Sequence, residues 1–147
     1  MGKMRWRYAT VEDAGTLARM NQQLIDDEGH RNCMTRHELE ERMRGWLLSQ
    51  EYSAALFESD EELVAYALFR VEVDKVHLRQ FFVVSHRRRQ GIGREAIQIL
   101  RNEIWPPGRR LTVDVLVANT VGVGFWRSLG YVDYSLTLEI PATSKHA

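Results

Sequence analysis

The stretch FFVVSHRRRQGIGREA, Phe81 to Ala96, orders the rest of the chain around it. It reads as an apolar strand, a basic turn, two glycines separated by one residue, and the start of a helix. A helix start leaves backbone N–H groups without partners, and the helix dipole adds partial positive charge there. Gly91 and Gly93 let an anion approach the backbone with no Cβ in the way. Arg87, Arg88, Arg89 and Arg94 place full charges around the same spot. Such a turn suits a phosphate group, and this much basic charge suits a pyrophosphate.

Downstream, Ile97, Leu100 and Ile104 continue the helix, and Pro106-Pro107-Gly108 stops it. Leu111 to Ala118 reads as a strand covered on both faces. Val121 to Leu129 reads as a short helix, with Gly130 where a left-handed cap belongs. Tyr131 to Ile140 alternates apolar and polar residues and predicts a final strand ended by Pro141. Upstream, Val76 to Val84 is the strand that enters the turn. Ala54 to Glu58 and Leu63 to Val73 predict a hairpin across the acidic Ser59-Asp60-Glu61-Glu62. Earlier still, Thr35 and Glu38 form a capping box before a helix carrying Leu39, Met43, Trp46 and Leu47. Thr10 and Asp13 open another helix, with Leu17, Met20, Leu24 and Ile25 at helical spacing. Residues 4 to 9 predict a first strand. The fold class is α/β, in the order β-α-α-β-β-β-α-β-α-β, with antiparallel hairpins first and a strand–helix–strand crossover after the glycines.

The chain has 147 residues, of which 44% are apolar and 27% charged. That predicts one soluble domain, 1–147, with a real core. The formal net charge is zero, which counts against a general nucleic-acid binder. A single cysteine, Cys33, allows no internal disulfide framework and fits a reducing compartment. No apolar run approaches the ~20 residues of a membrane span, and the N-terminus lacks the apolar stretch of a signal peptide. A cytoplasmic protein with no nucleic-acid or membrane partner and no metal ligands is expected.

Gly91 to Ala96 also matches G-x-G-x-x-A, the dinucleotide-binding fingerprint, with Asp114 near the expected acidic position. Against that reading, Ser85 to Gln90 separate strand and glycine, and Asp114 lies inside a predicted strand. A nucleic-acid role for His86-Arg87-Arg88-Arg89 has no aromatic ladder or reading helix beside it.

The segment taken as a unit reads otherwise. Arg88-Arg89-Gln90-Gly91-Ile92-Gly93 fits [Q/R]-x-x-G-x-[G/A], and Val83-Val84-Ser85 precedes it. Further on stand Asn119 and Phe125-Trp126-Arg127-Ser128-Leu129-Gly130-Tyr131. Together these resemble the GNAT superfamily of acetyl-CoA-dependent N-acetyltransferases, strongly from about Val76 to Tyr131 and weakly before. The resemblance implies a mixed, mostly antiparallel sheet with a V-shaped splay between two central parallel strands, Val76 to Val84 and Leu111 to Ala118. It implies acetyl-CoA as cosubstrate, with backbone groups at Phe82, Val83 and Val84 holding the pantetheine arm. Arg88, Arg89, Gln90, Gly91, Ile92, Gly93 and Arg94 would hold the pyrophosphate. Asn119 and Trp126 would stand near the thiol end.

The implied reaction is direct transfer to a primary amine of a small molecule or peptide. A non-catalytic CoA-binding sensor or interaction module of the same fold is the alternative. The family's usual general acid, a Tyr, is here Trp126, whose indole N–H is too weak an acid to protonate a thiolate. Tyr131, Tyr134 or a water is left to substitute for it. His77 stands where some relatives carry a Glu base, and histidine is suited to proton transfer near neutral pH. Glu28 is the second candidate base. It closes the run Asp26-Asp27-Glu28 at a helix end, where negative charge opposes the dipole and suits a cationic acceptor. A long apolar edge at Tyr131 to Ile140 also predicts a homodimer.

Overall fold

A computed structural model describes residues 3–142. One five-stranded sheet runs β1-β2-β3-β4-β5 in spatial order. Its strands are β1 (Arg5–Tyr8), β2 (Ser53–Ser59), β3 (Glu62–Val71), β4 (Lys75–Val83) and β5 (Arg110–Val113). The first four pair antiparallel, and β4 pairs with β5 in parallel. Helices α1 (Ala14–Glu28) and α2 (Arg36–Ser49) separate β1 from β2. Helix α3 (Ile92–Ile99) joins β4 to β5, and α4 (Thr120–Ser128) follows β5.

Alternation along the strands assigns each sheet face its layer. Leu17, Met20 and Leu24 of α1 and Met43 of α2 pack on Leu56, Tyr66, Leu68 and Phe82. On the other face, Ile92, Ala96, Ile97 and Leu100 pack with Trp126 on Phe57, Ala67, Phe69, Val76 and Leu78. The Thr35 capping box forms as the sequence predicts, with the Glu38 N–H donating to Thr35 Oγ1 at 3.1 Å and the Thr35 N–H to Glu38 Oε1 at 2.8 Å. The Thr10–Asp13 box opens a 3-10 turn, Val11–Asp13, that leads into α1.

Helix α3 ends in a π-helical turn, Leu100–Ile104, closed by the Trp105 N–H on Leu100 C=O at 2.7 Å. Pro106 has no N–H with which to extend it.

Two expectations are corrected. The strand read over Leu111 to Ala118 pairs only from Arg110 to Val113, because β4 turns away from β5 beyond that point. The last parallel pair is Leu78 with Val113, while β4 continues to Val83. The final strand read over Tyr131 to Ile140 is not formed: the segment carries no strand pairing. Its alternation is real, since Val132, Tyr134, Leu136, Leu138 and Ile140 share a parity, but all five are exposed. The segment is tied down by ion pairs and a ring contact instead. Arg127 holds Asp133 at 2.7 Å, Arg31 holds Glu139 at 2.9 Å, and the Arg110 guanidinium lies 4.9 Å from the Tyr134 ring centroid.

Candidate active site

The divergence of β4 from β5 begins at a bulge. Phe69 faces Leu78 and Leu68 faces Gln80, so Arg79 is an extra residue in β4. A bulge bends its strand and re-aims side chains. Beyond it, the β4 edge toward β5 has no neighbouring strand. The Val84 N–H donates to Val64 C=O at 2.9 Å, and Val84 C=O accepts from the Arg87 N–H at 3.0 Å. Val84 therefore has no backbone group left over. By the alternation of an antiparallel ladder, Phe82 also turns its N–H and C=O toward β3, while Phe81 and Val83 turn theirs outward. Of Phe82, Val83 and Val84, expected to hold a pantetheine arm, only Val83 thus turns backbone groups outward, and Phe81 does so as well. The Val83 C=O accepts from Arg88 Nε at 2.8 Å, and its N–H faces the opening.

The turn that follows is built to leave donors free. The Arg88 N–H donates to Ser85 C=O at 3.3 Å, and the Glu95 N–H opens the ladder of α3 on Gly91 C=O at 3.0 Å. Between them, the N–H groups of Arg89, Gln90, Gly91, Ile92, Gly93 and Arg94 meet no acceptor within the described chain. Arg89 (φ 64°) and Gly91 (φ 80°) both take the left-handed conformation that turns successive N–H groups inward. The two glycines serve different ends. Gly91 needs its positive φ, and a Cβ there would meet nothing. A Cβ on Gly93 would lie 3.1 Å from the Phe125 ring, so Gly93 lets α3 approach α4.

The turn arginines divide. Arg87 is nearly buried, pairing with Glu62 at 2.8 Å and Asp60 at 3.3 Å. It holds the Glu62 carboxyl below its ordinary value, with help from His86, which also bonds Glu62. Arg88 pairs with Asp27 at 2.6 Å. Arg94 donates to Ser128 Oγ at 3.1 Å, and Arg89 is exposed.

His77 lies one residue before the last β4–β5 pair. Its Nδ1 is 2.8 Å from Thr112 Oγ1 and its Nε2 is 3.6 Å from Asp114 Oδ2. Asp114, the supposed dinucleotide acid, is thus a neighbour of His77 just past β5. Thr112 was not singled out in the sequence, and Asp114 was not tied to His77, because the parallel register that brings them together is not a local pattern. The Tyr66 hydroxyl, deep under β4, donates to Gln80 Oε1 at 2.8 Å. Burial first, and Glu28 second, push its pKa far above the ordinary value. Glu28 is itself bonded to His30 at 3.0 Å. Within the acidic run at the end of α1, Asp27 is thus paired with Arg88, and Glu28 lies against His30.

Three further expectations change. Trp126 is core: its ring stands 4.9 Å from Phe125, 5.7 Å from Phe81 and 5.3 Å from Tyr131. The Tyr131 hydroxyl is buried without a hydrogen bond, its pKa is raised by that burial, and the charge it senses is Arg101 near the far end of α3. That is roughly 13 Å along the helix from the glycine turn. Tyr134 stacks on Arg110, which pairs with Lys75 at the opposite end of β4. Neither tyrosine is brought to the opening. Asn119 caps α4, its Oδ1 accepting from the Gly122 N–H at 3.0 Å.

The acetyltransferase (GNAT) family model matches residues 19–131, which takes in α1 through α4 and both halves of the opening. The chain belongs to the GNAT acetyltransferase family. Solved structures carry the same fold at low identity. A possible acetyltransferase from Clostridium difficile is 15% identical with a TM-score of 0.75, covering 96% of this chain and 98% of its own. An aminoglycoside N-acetyltransferase, AAC(6')-Iy, solved in complex with CoA, is 14% identical with a TM-score of 0.74, covering 98% and 97%. A predicted acetyltransferase from Clostridium acetobutylicum, solved with acetyl-CoA, is 17% identical with a TM-score of 0.71, covering 95% and 96%. No curated protein sequence matches the chain. None of the helices among the described residues is long and apolar enough to cross a membrane.

Proposed function

We propose that this GNAT chain is an N-acetyltransferase that moves an acetyl group from acetyl-CoA to a primary amine by direct attack in a ternary complex. The observation that carries the reading is the row of acceptorless N–H groups from Arg89 to Arg94, set directly after a strand edge with no neighbour. Phosphates fit the first, and an amide-bearing arm fits the second. Each charge-assisted bond at the turn contributes about 1.5–3 kcal/mol. Arg89 and Arg94 add charge there, and Arg88 reaches the same place by exchanging Asp27 for a phosphate oxygen.

Acetyl-CoA supplies the activated thioester. The protein supplies the rest: the outward Val83 N–H is the donor for an acyl oxygen, and His77 takes the proton of the attacking amine. Thr112 fixes the imidazole, and the Asp114 carboxylate lies 3.6 Å from its Nε2. Glu28 is the second proton acceptor.

Calorimetric titration with acetyl-CoA, with NADH as control, tests the reading. Micromolar binding of acetyl-CoA alone, followed by thiol release with an amine, is the expected result. Absence of acetyl-CoA binding would refute it. The second reading, a CoA-binding module without catalysis, is favoured by one observation: neither Tyr131 nor Tyr134 is brought to the opening. Binding without turnover over a broad amine panel would establish it.

Two assignments accompany the main one. An exposed, unpaired Cys33 suits a reducing compartment such as the cytoplasm. A homodimer follows from the outer edge of β5 and the exposed face Val132, Tyr134, Leu136, Leu138 and Ile140, because a second copy offers the complement of each. Light scattering that shows only monomer at high concentration would overturn the dimer.

A further inference from the structure

Trp46 of α2 carries a guanidinium from each of two elements. Arg42, one turn earlier on α2, has its Cζ 4.6 Å from the ring centroid, and Arg79, the bulge residue of β4, has its Cζ 4.8 Å away. Arg79 also donates to the Tyr52 hydroxyl at 3.3 Å. Neither arginine has a carboxylate partner among the described residues. Arg70, which shares Tyr52 with Arg79, differs: it pairs with Glu51 at 3.5 Å and Glu72 at 3.9 Å. Arg42 also keeps its Nε buried with no acceptor. Burial, and then the charge of Arg79, hold the Arg42 pKa below its ordinary value. Two like charges drawn together, partly desolvated and without a counter-charge, are unfavourable unless something else uses them.

Their position says what uses them. The parallel pairing of β4 with β5 ends at Leu78, so Arg79 stands at the mouth of the opening. His77 faces Arg70 across β3–β4, and the Arg70 guanidinium meets Arg79 at Tyr52, so all three side chains share the α1–α2 face. Two residues along a strand span about 7 Å. A planar guanidinium fork matches a carboxylate or a phosphate. Resting on the acetyl-transfer reading, we propose that the acceptor is an amine that also bears an anionic group, a carboxylate or phosphate within a few bonds of the nitrogen, and that Arg42 and Arg79 over Trp46 hold that group while the amine faces His77. Within the acidic run of α1, the sequence's argument for a cationic acceptor, Asp27 is already paired with Arg88.

The test compares matched amines in a thiol-release assay on the full chain. Amino acids are set against their amides, phosphoethanolamine against ethanolamine, and a peptide with an acidic second residue against its neutral counterpart, with spermidine as the cationic control. The anionic member is expected to show at least about a tenfold higher kcat/KM. The peptide pair separates a protein acceptor from a small molecule. Arg79→Gln and Arg42→Gln should collapse that ratio toward one through KM while acetyl-CoA binding persists. Arg42→Lys keeps the charge and guards against misfolding as the cause. Preference for spermidine or the amides, or a ratio unchanged in the variants, would overturn the proposal. If no amine is turned over, titration with inorganic phosphate decides, read at the arginine Nε–Hε NMR signals. Saturable shifts at Arg42 and Arg79 support the site, and their absence refutes it. Acetyl-CoA calorimetry stands apart from both arms, so a failure of the acetyl-transfer reading shows there first.

Discussion

The arginines of the basic turn and the arginines over Trp46 differ in what neutralises them. Arg87 and Arg88 end on Glu62, Asp60 and Asp27. Arg42 and Arg79 end on an indole ring, and Arg79 also on the Tyr52 hydroxyl. Sequence density pointed to the turn as the charged site, yet Arg87 and Arg88 are paired within the chain. The turn owes its anion-binding character more to backbone N–H groups than to side chains. Charge spent within the chain fixes a loop, and charge left over marks a place for a ligand.

The sharpest way to break this contrast is at Gly91. Gly91→Glu forces a side chain into a left-handed backbone and puts a carboxylate where phosphate is expected. Acetyl-CoA affinity should fall by more than about 100-fold, some 2.7 kcal/mol, with the cooperative melt retained. Calorimetry and a thermal scan check both. Gly93→Ala should cost less, because only the Phe125 ring must give way. Equal losses at the two glycines would mean that packing, not the anion site, dominates the turn.

Next in size is His77. His77→Gln should lower kcat by about 10²-fold or more while leaving the acetyl-CoA Kd unchanged, since the imidazole serves proton transfer and not cofactor binding. Steady-state kinetics beside calorimetry separates the two. A kcat within threefold of the wild type would remove His77 as the base and leave Glu28 to be tested in the same way.

Local patterns were legible. The capping boxes, the α1 and α2 stripes, the hairpin, the Pro106 stop and the glycine turn all depend on neighbours within a few residues, and all but the cap's helix type came through. Register was not. The bulge at Arg79 shifts which β4 residues face α2, and no alternation in residues 75–83 announces it. The contacts of His77 with Thr112 and Asp114 could not be read from local sequence, and neither could the position of Arg79. Tyr131 to Ile140 shows the opposite failure. Its period-two pattern is correct, but a strand also needs a partner edge, and residues 131–140 pair with none among the described residues. Trp126 was placed by its motif position, whereas the aromatic cluster around Phe81 decides where its ring goes.

The structural half of the contrast predicts a smaller effect. Arg87→Ala removes a nearly buried guanidinium that ties β3 to the turn through Glu62. Both carboxylates are partly exposed, so the loss should be about 1 kcal/mol, roughly 2–4 °C in Tm. Acetyl-CoA affinity should change less than threefold if the turn holds its shape. A large affinity loss with no change in Tm would place Arg87 among the ligand-binding charges and erase the division.

The smallest expected effect lies farthest from the opening, at the Arg7–Asp13 pair. Asp13 accepts from Arg7 at 2.9 Å and from the Thr10 N–H at 2.7 Å, and these bonds hold its carboxyl below the ordinary 3.8. A depressed folded pKa gives stability that is fully present above the ordinary value and is lost as pH falls through the folded one. The cap is worth about 1 kcal/mol, so Asp13→Asn should melt a few degrees below the wild type at neutral pH, and the two curves should converge in acid below 3.8. A gap that persists unchanged at low pH would mean that shape, and not charge, holds this end of α1. The rule that internally paired charge is structural would then fail where it is simplest to measure.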